Sequence, residues 1–267
     1  MYDGGSVMFG CTGHSIIVWD MGVFSQKGAL RLMGGTNGVY DVNGDYLLAN
    51  TPQSKIGVWK RGASSLTWGY NGMRRFMNKD ESDGCRIATA IKVAKTAPKA
   101  YVGDMMGGLS LCDFRDRYID QPSLTLKGAV KGIETFREWG LAVGTDEGEL
   151  SLFDLRFLKK NAEKSVVQRL ELPADEKSIG MIRACPQNPD MFACSAGRYV
   201  CIYDVSANKN GTSPWFVHDV HQSPVVDFDW SPCDMYQYTI SSLEAASGHS
   251  PGKLHTWRPN TMALSGT

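Results

Sequence analysis

One short strand pattern recurs six times in the 267 residues of this chain, and the recurrence limits its possible folds more than any other feature. The copies are HSIIVWD (14–20), SKIGVWK (54–60), GLSLCDF (108–114), ELSLFDL (149–155), RYVCIYDV (198–205) and KLHTWRP (253–259). An equivalent bulky position holds Trp19, Trp59, Cys112, Phe153, Tyr203 and Trp257, at intervals of 40, 53, 41, 50 and 54 residues. Next comes Asp20, Lys60, Asp113, Asp154, Asp204 or Arg258. A second apolar run precedes each copy: VMFGCT, YLLANT, AYVGDM, LAVGTD, MFACSA or YQYTISS. The cleanest pair spans 140–156, where Leu141, Val143, Leu150 and Leu152 alternate with small or polar residues around Thr145-Asp146-Glu147-Gly148. Alternating runs around a glycine-containing turn predict a β-hairpin.

A third run lies upstream of most hairpins, at Val39–Val42, Arg86–Val93, Lys131–Phe136, Ile179–Ala184 and Val225–Trp230. A fourth follows several of them, at Ala29–Met33, Ser123–Lys127, Val166–Leu172 and Trp215–His218. Four antiparallel strands make a unit that cannot bury its own face and must stack on its neighbours. A bulky residue followed by aspartate, repeated at this spacing, resembles the WD repeat in degenerate form. The resemblance implies an all-β, WD40-type β-propeller forming a single domain over 1–267. An irregular β-sandwich is the competing fold. Helix is expected to be scarce, with only Ala162–Val167 and a few insertion residues reading as a turn of helix.

The first and last repeats read as incomplete. Tyr2-Asp3-Gly4-Gly5 has the character of a turn between the first two strands of a blade, and Thr261–Ser265 that of the start of a further outer strand. Three arrangements stay open: part of a longer chain, a ring completed by a partner's strand, or a ring that closes unaided.

Charge and cysteine usage narrow the partners. Lysine plus arginine equals aspartate plus glutamate, 28 of each, so no global field attracts nucleic acid or anionic lipid. Seven cysteines occur without any C-x-x-C pair, and Cys112, Cys194 and Cys201 fall in apolar runs where a thiol acts as a small hydrophobe. A reducing compartment, cytoplasmic or nuclear, is expected. Asn210-Gly211-Thr212 matches a glycosylation acceptor but reads as a plain turn. No apolar run approaches the roughly 18–20 residues of a membrane span.

The longest departure from the repeat is Ser65–Gly84. It mixes Trp68, Tyr70 and Phe76 with Arg74, Arg75 and Lys79, residue types favoured at protein-binding hot spots and able to stack on single-stranded nucleic acid. A surface loop tucking its aromatics onto a neighbouring blade is the plainer reading. Phe157–Lys164 reads as a solvated loop, and Leu243–Gly252 as an extended hairpin turn. Arg115 and Arg156 each stand two residues past the repeat aspartate. Such D-x-R boxes resemble those of substrate receptors of cullin-4 ubiquitin ligases, which implies exposed arginines on one rim. An arginine paired with a nearby carboxylate is the structural alternative.

His218 and His221 have the spacing of some metal ligands, with Asp227 close in sequence. The WD40 resemblance implies another role, in which His221, Ser241 or Ser242, and Trp257 form a structural hydrogen-bond network. No metal or cofactor is assigned. Phe216–His221 and Asp227–Pro232 also resemble the final blade of histone-binding WD40 chaperones. Catalytic motifs are missing: there is no P-loop, nucleophile elbow or dinucleotide fingerprint. Gly103–Gly108 reads as a hairpin turn rather than a phosphate cradle, and five scattered histidines assemble no acid–base set. The expectation is a non-catalytic interaction scaffold within a multi-protein complex, with Trp68, Tyr70, Arg74, Arg75, Arg115 and Arg156 as candidate contacts. A ubiquitin-ligase receptor or a histone-binding propeller is a narrower form of it. A propeller enzyme or small-molecule binder is the rival class.

Overall fold

The repeated hairpins fold as six small antiparallel sheets, one per repeat, giving an all-β fold of the six-blade β-propeller class. The computed structural model describes residues 7–12, 14–23, 25–31, 38–51, 55–63, 67–76, 86–95, 98–158, 162–173, 178–206, 211–233, 235, 237–247 and 251–259. Two compact units divide the chain, Met1–Val130 and Lys131–Thr267.

In the first unit, β1 (Val7–Cys11), β2 (Ser15–Asp20) and β3 (Ser25–Arg31) form one sheet. The next is β4 (Tyr40–Asn43), β5 (Tyr46–Thr51), β6 (Lys55–Arg61) and β7 (Trp68–Phe76), in order β4-β5-β6-β7. The third contains β8 (Ala88–Val93), β9 (Lys99–Asp104) and β10 (Gly108–Asp113). Two short strands follow. β11 (Tyr118–Ile119) crosses back to pair in parallel with β7, and β12 (Leu124–Thr125) completes the third sheet on β10.

Period-2 alternation explains the packing. Ile56 and Val58 from one face of β6 join Ala100, Val102 and Cys112 in one core, whereas Ile16, Leu47, Ala49 and Trp59 form another. Burial pushes the Cys112 thiol up to about 12, so it behaves as an inert apolar filler.

The second unit holds three further sheets. β13 (Val130–Phe136), which starts at the boundary residue, continues into β14 (Gly140–Thr145), β15 (Leu150–Asp154) and β16 (Val166–Leu170). β17 (Ile179–Ala184), β18 (Met191–Ala196), β19 (Tyr199–Asp204) and β20 (Phe216–His218) make the next. β21 (Val225–Trp230), β22 (Ile240–Glu244) and β23 (Leu254–Trp257) make the last. One core gathers Leu150, Leu152, Ile182, Phe192, Cys194 and Cys201; another gathers Ile202, Phe228, Trp230 and Ile240.

The repeat aspartate has a consistent local task. Asp20, Asp113, Asp154 and Asp204 each accept a hydrogen bond from the amide two residues on, at 2.9, 3.1, 2.9 and 2.8 Å. This Asx-type turn reverses the chain at the end of the second hairpin strand, so the aspartate recurs because the turn recurs.

Three sequence expectations change. Ser65–Gly84 is not simply a loop: Trp68–Phe76 is a nine-residue strand that supplies its sheet with the fourth strand missing from the sequence reading. Mixed charges and Gly72 disguise it, and Gly72 takes φ +97° where the β6–β7 pairing slips. Phe157–Lys164 is not simply a solvated loop, because α1 (Leu155–Leu158) and α2 (Ala162–Ser165) take up its two ends, with Leu158 buried. The extended turn at Leu243 begins two residues later, since β22 runs through Glu244. Tyr2–Gly5, Thr261–Ser265, Lys79 and Asn210 lie outside the described residues.

Candidate interaction surfaces

Strand β7 gathers the aromatic candidates on one side of the first unit. Trp68 packs edge-on against Phe9 at 5.6 Å and is half-buried. Tyr70 meets Trp59 edge-to-face at 5.8 Å yet stays 59% exposed. Trp59, Trp68, Tyr70 and Met73 line one side of a groove of about 360 Å³, and Ala29, Leu30 and Arg31 line the other. Its lining is mostly aromatic and aliphatic, with Arg31 as the cationic group. Aromatic surface beside an arginine is the composition of binding hot spots.

The arginines of β7 part company. Arg75 is exposed. Arg74 is buried, with Nη2 donating to the Phe114 carbonyl and Nη1 donating to the carbonyls of Asn71 and Met73, both at 3.3 Å. Its guanidinium ties neighbouring chain segments together. A second concavity of about 390 Å³ is lined by Gly72, Met73, Arg74 itself, Arg75, Arg117 and Tyr118.

The two D-x-R boxes share one geometry. Arg115 donates from Nε to Asp113 Oδ1 at 2.9 Å and from Nη2 to Oδ2 at 2.5 Å. Arg156 grips Asp154 the same way, at 3.0 and 2.5 Å. Each arginine therefore pairs within its own box. The side chains remain 72% and 58% exposed. The fork holds Asp113 well below the usual carboxylate range, at about 2, and Asp154 is lowered for the same reason. Beside Arg156, Trp139 and Val167 border a hollow of about 400 Å³.

The Gly103–Gly108 turn is closed to phosphate. Amides of Met106 and Gly108 donate to Asp104 Oδ1 at 2.8 and 2.9 Å, so the buried carboxylate already takes the donors an anion would need.

The last repeat contains the expected network, resolved to Ser242. Trp257 Nε1 donates to Ser242 Oγ at 3.0 Å, and His221 Nε2 lies 2.7 Å from the same oxygen. His218 stacks on Trp257 at 4.0 Å with the rings 8° from parallel. Burial, then His221 and His255, push His218 down to about 4. Asp227 is exposed and takes no part. The histidines nevertheless meet: His221 is 4.5 Å from His255 and 5.3 Å from His218, between ring centroids. Sequence spacing hid this, because His255 lies across a hairpin from the pair.

No family model and no curated protein matches the chain. Solved structures do: a chain of the "Crystal Structure of Mitotic Checkpoint Complex" superposes with a TM-score of 0.70 at 14% identity, covering 96% of this chain and 71% of that one. At that identity the likeness shows the fold. Since 1521 solved chains match, the fold alone selects no function. Among the described residues, no helix is long and apolar enough to cross a membrane.

Proposed function

We propose that this chain is a non-catalytic interaction scaffold in a multi-subunit assembly, and that the Trp59–Trp68–Tyr70 groove is a principal contact surface. The observation that carries this reading is the groove itself. Tyr70 leaves more than half its surface in water above two further aromatics. Covering such a surface with a partner's apolar side chain removes it from water and seals the Arg31 side from solvent. Balanced net charge favours proteins over nucleic acid as partners. Free thiols at Cys112, Cys185, Cys194 and Cys201 fit a reducing compartment, cytoplasmic or nuclear.

Tyr70→Ala removes the exposed wall while leaving Trp68 on Phe9. A hot-spot tyrosine contributes about 2 kcal/mol or more, so assembly should weaken about 30-fold with the fold unchanged. An unchanged affinity would remove the groove from the account.

The twin clamps favour a narrower version, a substrate receptor of a cullin-4 ubiquitin ligase. Asp113 and Asp154 fix the Nε–Nη2 edge of each exposed guanidinium, leaving the Nη1 edge for a partner's acceptor. Binding of the purified cullin-4 adaptor should be lost in Arg115→Ala/Arg156→Ala and kept in Tyr70→Ala. No binding by the parent chain rules this version out.

A further inference from the structure

His218, His221, Ser242, Glu244 and His255 converge near the turn end of the β22–β23 hairpin, and two of their ring nitrogens make no close hydrogen bond. Ser242 faces His255 across the pair, and period-2 alternation puts Glu244 and Trp257 on the same side. His221 reaches this face from the segment before β21, while His218 ends β20. Donor atoms of His221, Glu244 and His255 all lie within 4.8 Å of one another.

The tautomers expose the problem. An indole N–H can only donate, so Trp257 uses one lone pair of Ser242 Oγ. If His221 Nε2 also donates to that oxygen, its Nδ1 lone pair faces Glu244 Oε2 at 3.4 Å. Two buried acceptors would then oppose each other. If Nδ1 instead carries the proton, it meets Glu244 Oε2 only at 3.4 Å, a long contact that falls short of a well-formed hydrogen bond. His221 Nδ1 and His218 Nε2 are both buried without a hydrogen-bond partner, in residues 1% and 8% exposed. Unsatisfied buried nitrogens beside a carboxylate are expensive unless a cation lies between them.

We propose that His221 Nδ1, Glu244 and His255 bind a zinc ion, with the fourth position taken by water. Two imidazoles and one carboxylate form a donor set common for zinc. A tetrahedron with bonds of about 2.0–2.1 Å places ligand atoms roughly 3.4 Å apart. Half-buried His255, on β23, closes the remaining gap by a side-chain rotation. Partners for these ligands are in place: with zinc on Nδ1, His221 Nε2–H would donate to Ser242 Oγ, 2.7 Å away, and the Gln222 amide donates to Glu244 Oε2 at 2.9 Å. Such partners fix the ring and hold the carboxylate ionised. Lys253 Nζ, 4.0 Å from Glu244 Oε1, supplies the competing charge.

The test is titration of chelator-treated full-length chain with zinc chloride at neutral pH, with thermal unfolding and cobalt(II) absorption as second readouts. The parent should take up one zinc per chain, unfold at higher temperature with zinc and give a ligand-field band with cobalt. His255→Ala keeps the Trp257–Ser242–His221 bonds and should retain its circular dichroism spectrum. It should lose at least about 10-fold in zinc affinity, the lower bound for losing even an outer-shell partner, and lose the cobalt band. No uptake by the parent overturns the site. So does equal uptake by His255→Ala, which would assign the zinc to other groups such as exposed Cys233.

Discussion

Arg86 Nε donates to Asp104 Oδ2 at 2.8 Å, while the other oxygen of that fully buried carboxylate receives the amides of Met106 and Gly108. One buried carboxylate thus pairs with a part-buried cation and shapes the β9–β10 turn, where Gly107 takes φ +81°. Asp104→Asn keeps an acceptor for the turn but leaves the guanidinium uncompensated. Breaking a buried pair from one side costs about 3–5 kcal/mol, so the urea midpoint should fall markedly. A loss below about 1 kcal/mol would mean that solvent compensates Arg86 and that the pair contributes little.

Gly144 marks where β14 approaches β17. A Cβ there would sit 2.6 Å from Ile179 Cγ2 and 3.1 Å from its Cβ, and Ile179 is fully buried. Gly144→Ala should cost about 1–3 kcal/mol as overpacking. Gly144→Ala/Ile179→Ala removes Cγ2 and Cδ1, the two closest atoms, and leaves only the Cβ, so the double variant should lose less than the sum of the singles. Additive losses in denaturant unfolding would contradict the contact.

Asp113 gives a pH prediction with a definite sign. Its folded pKa, about 2, lies below the roughly 3.9 of an unperturbed aspartate, because Arg115 binds the ionised form. The resulting stabilisation is present above pH ~3.9 and is lost as pH falls toward 2. In Arg115→Ala the carboxyl, followed by NMR, should titrate higher, toward the ordinary value. An unmoved titration would show that the Arg115 side chain does not hold Asp113 down.

The hairpins were legible because burial imposes period 2 on each strand, and the turn aspartates because one Asx turn recurs. The Trp257–Ser242–His221 bonds were legible through the WD40 resemblance. Other features needed coordinates. Trp68–Phe76 reads as a charged loop because an outer strand has one wet face and a slip at Gly72. Arg74 is buried by the Phe114 carbonyl forty residues away, a partner no local pattern displays. His255 meets His221 only through the β22–β23 register, and Glu244 joins them only because β22 runs two residues further than its composition implies.

Native mass tests most directly whether the aromatic groove holds this chain in an assembly. The tagged full-length chain, expressed in its own cells at natural level, should sediment in extract as a particle much heavier than the free chain. Tyr70→Ala, folded to the same thermal midpoint, should sediment as the free chain. Parent chain running at its own mass, or Tyr70→Ala keeping the parent's particle, would contradict the account.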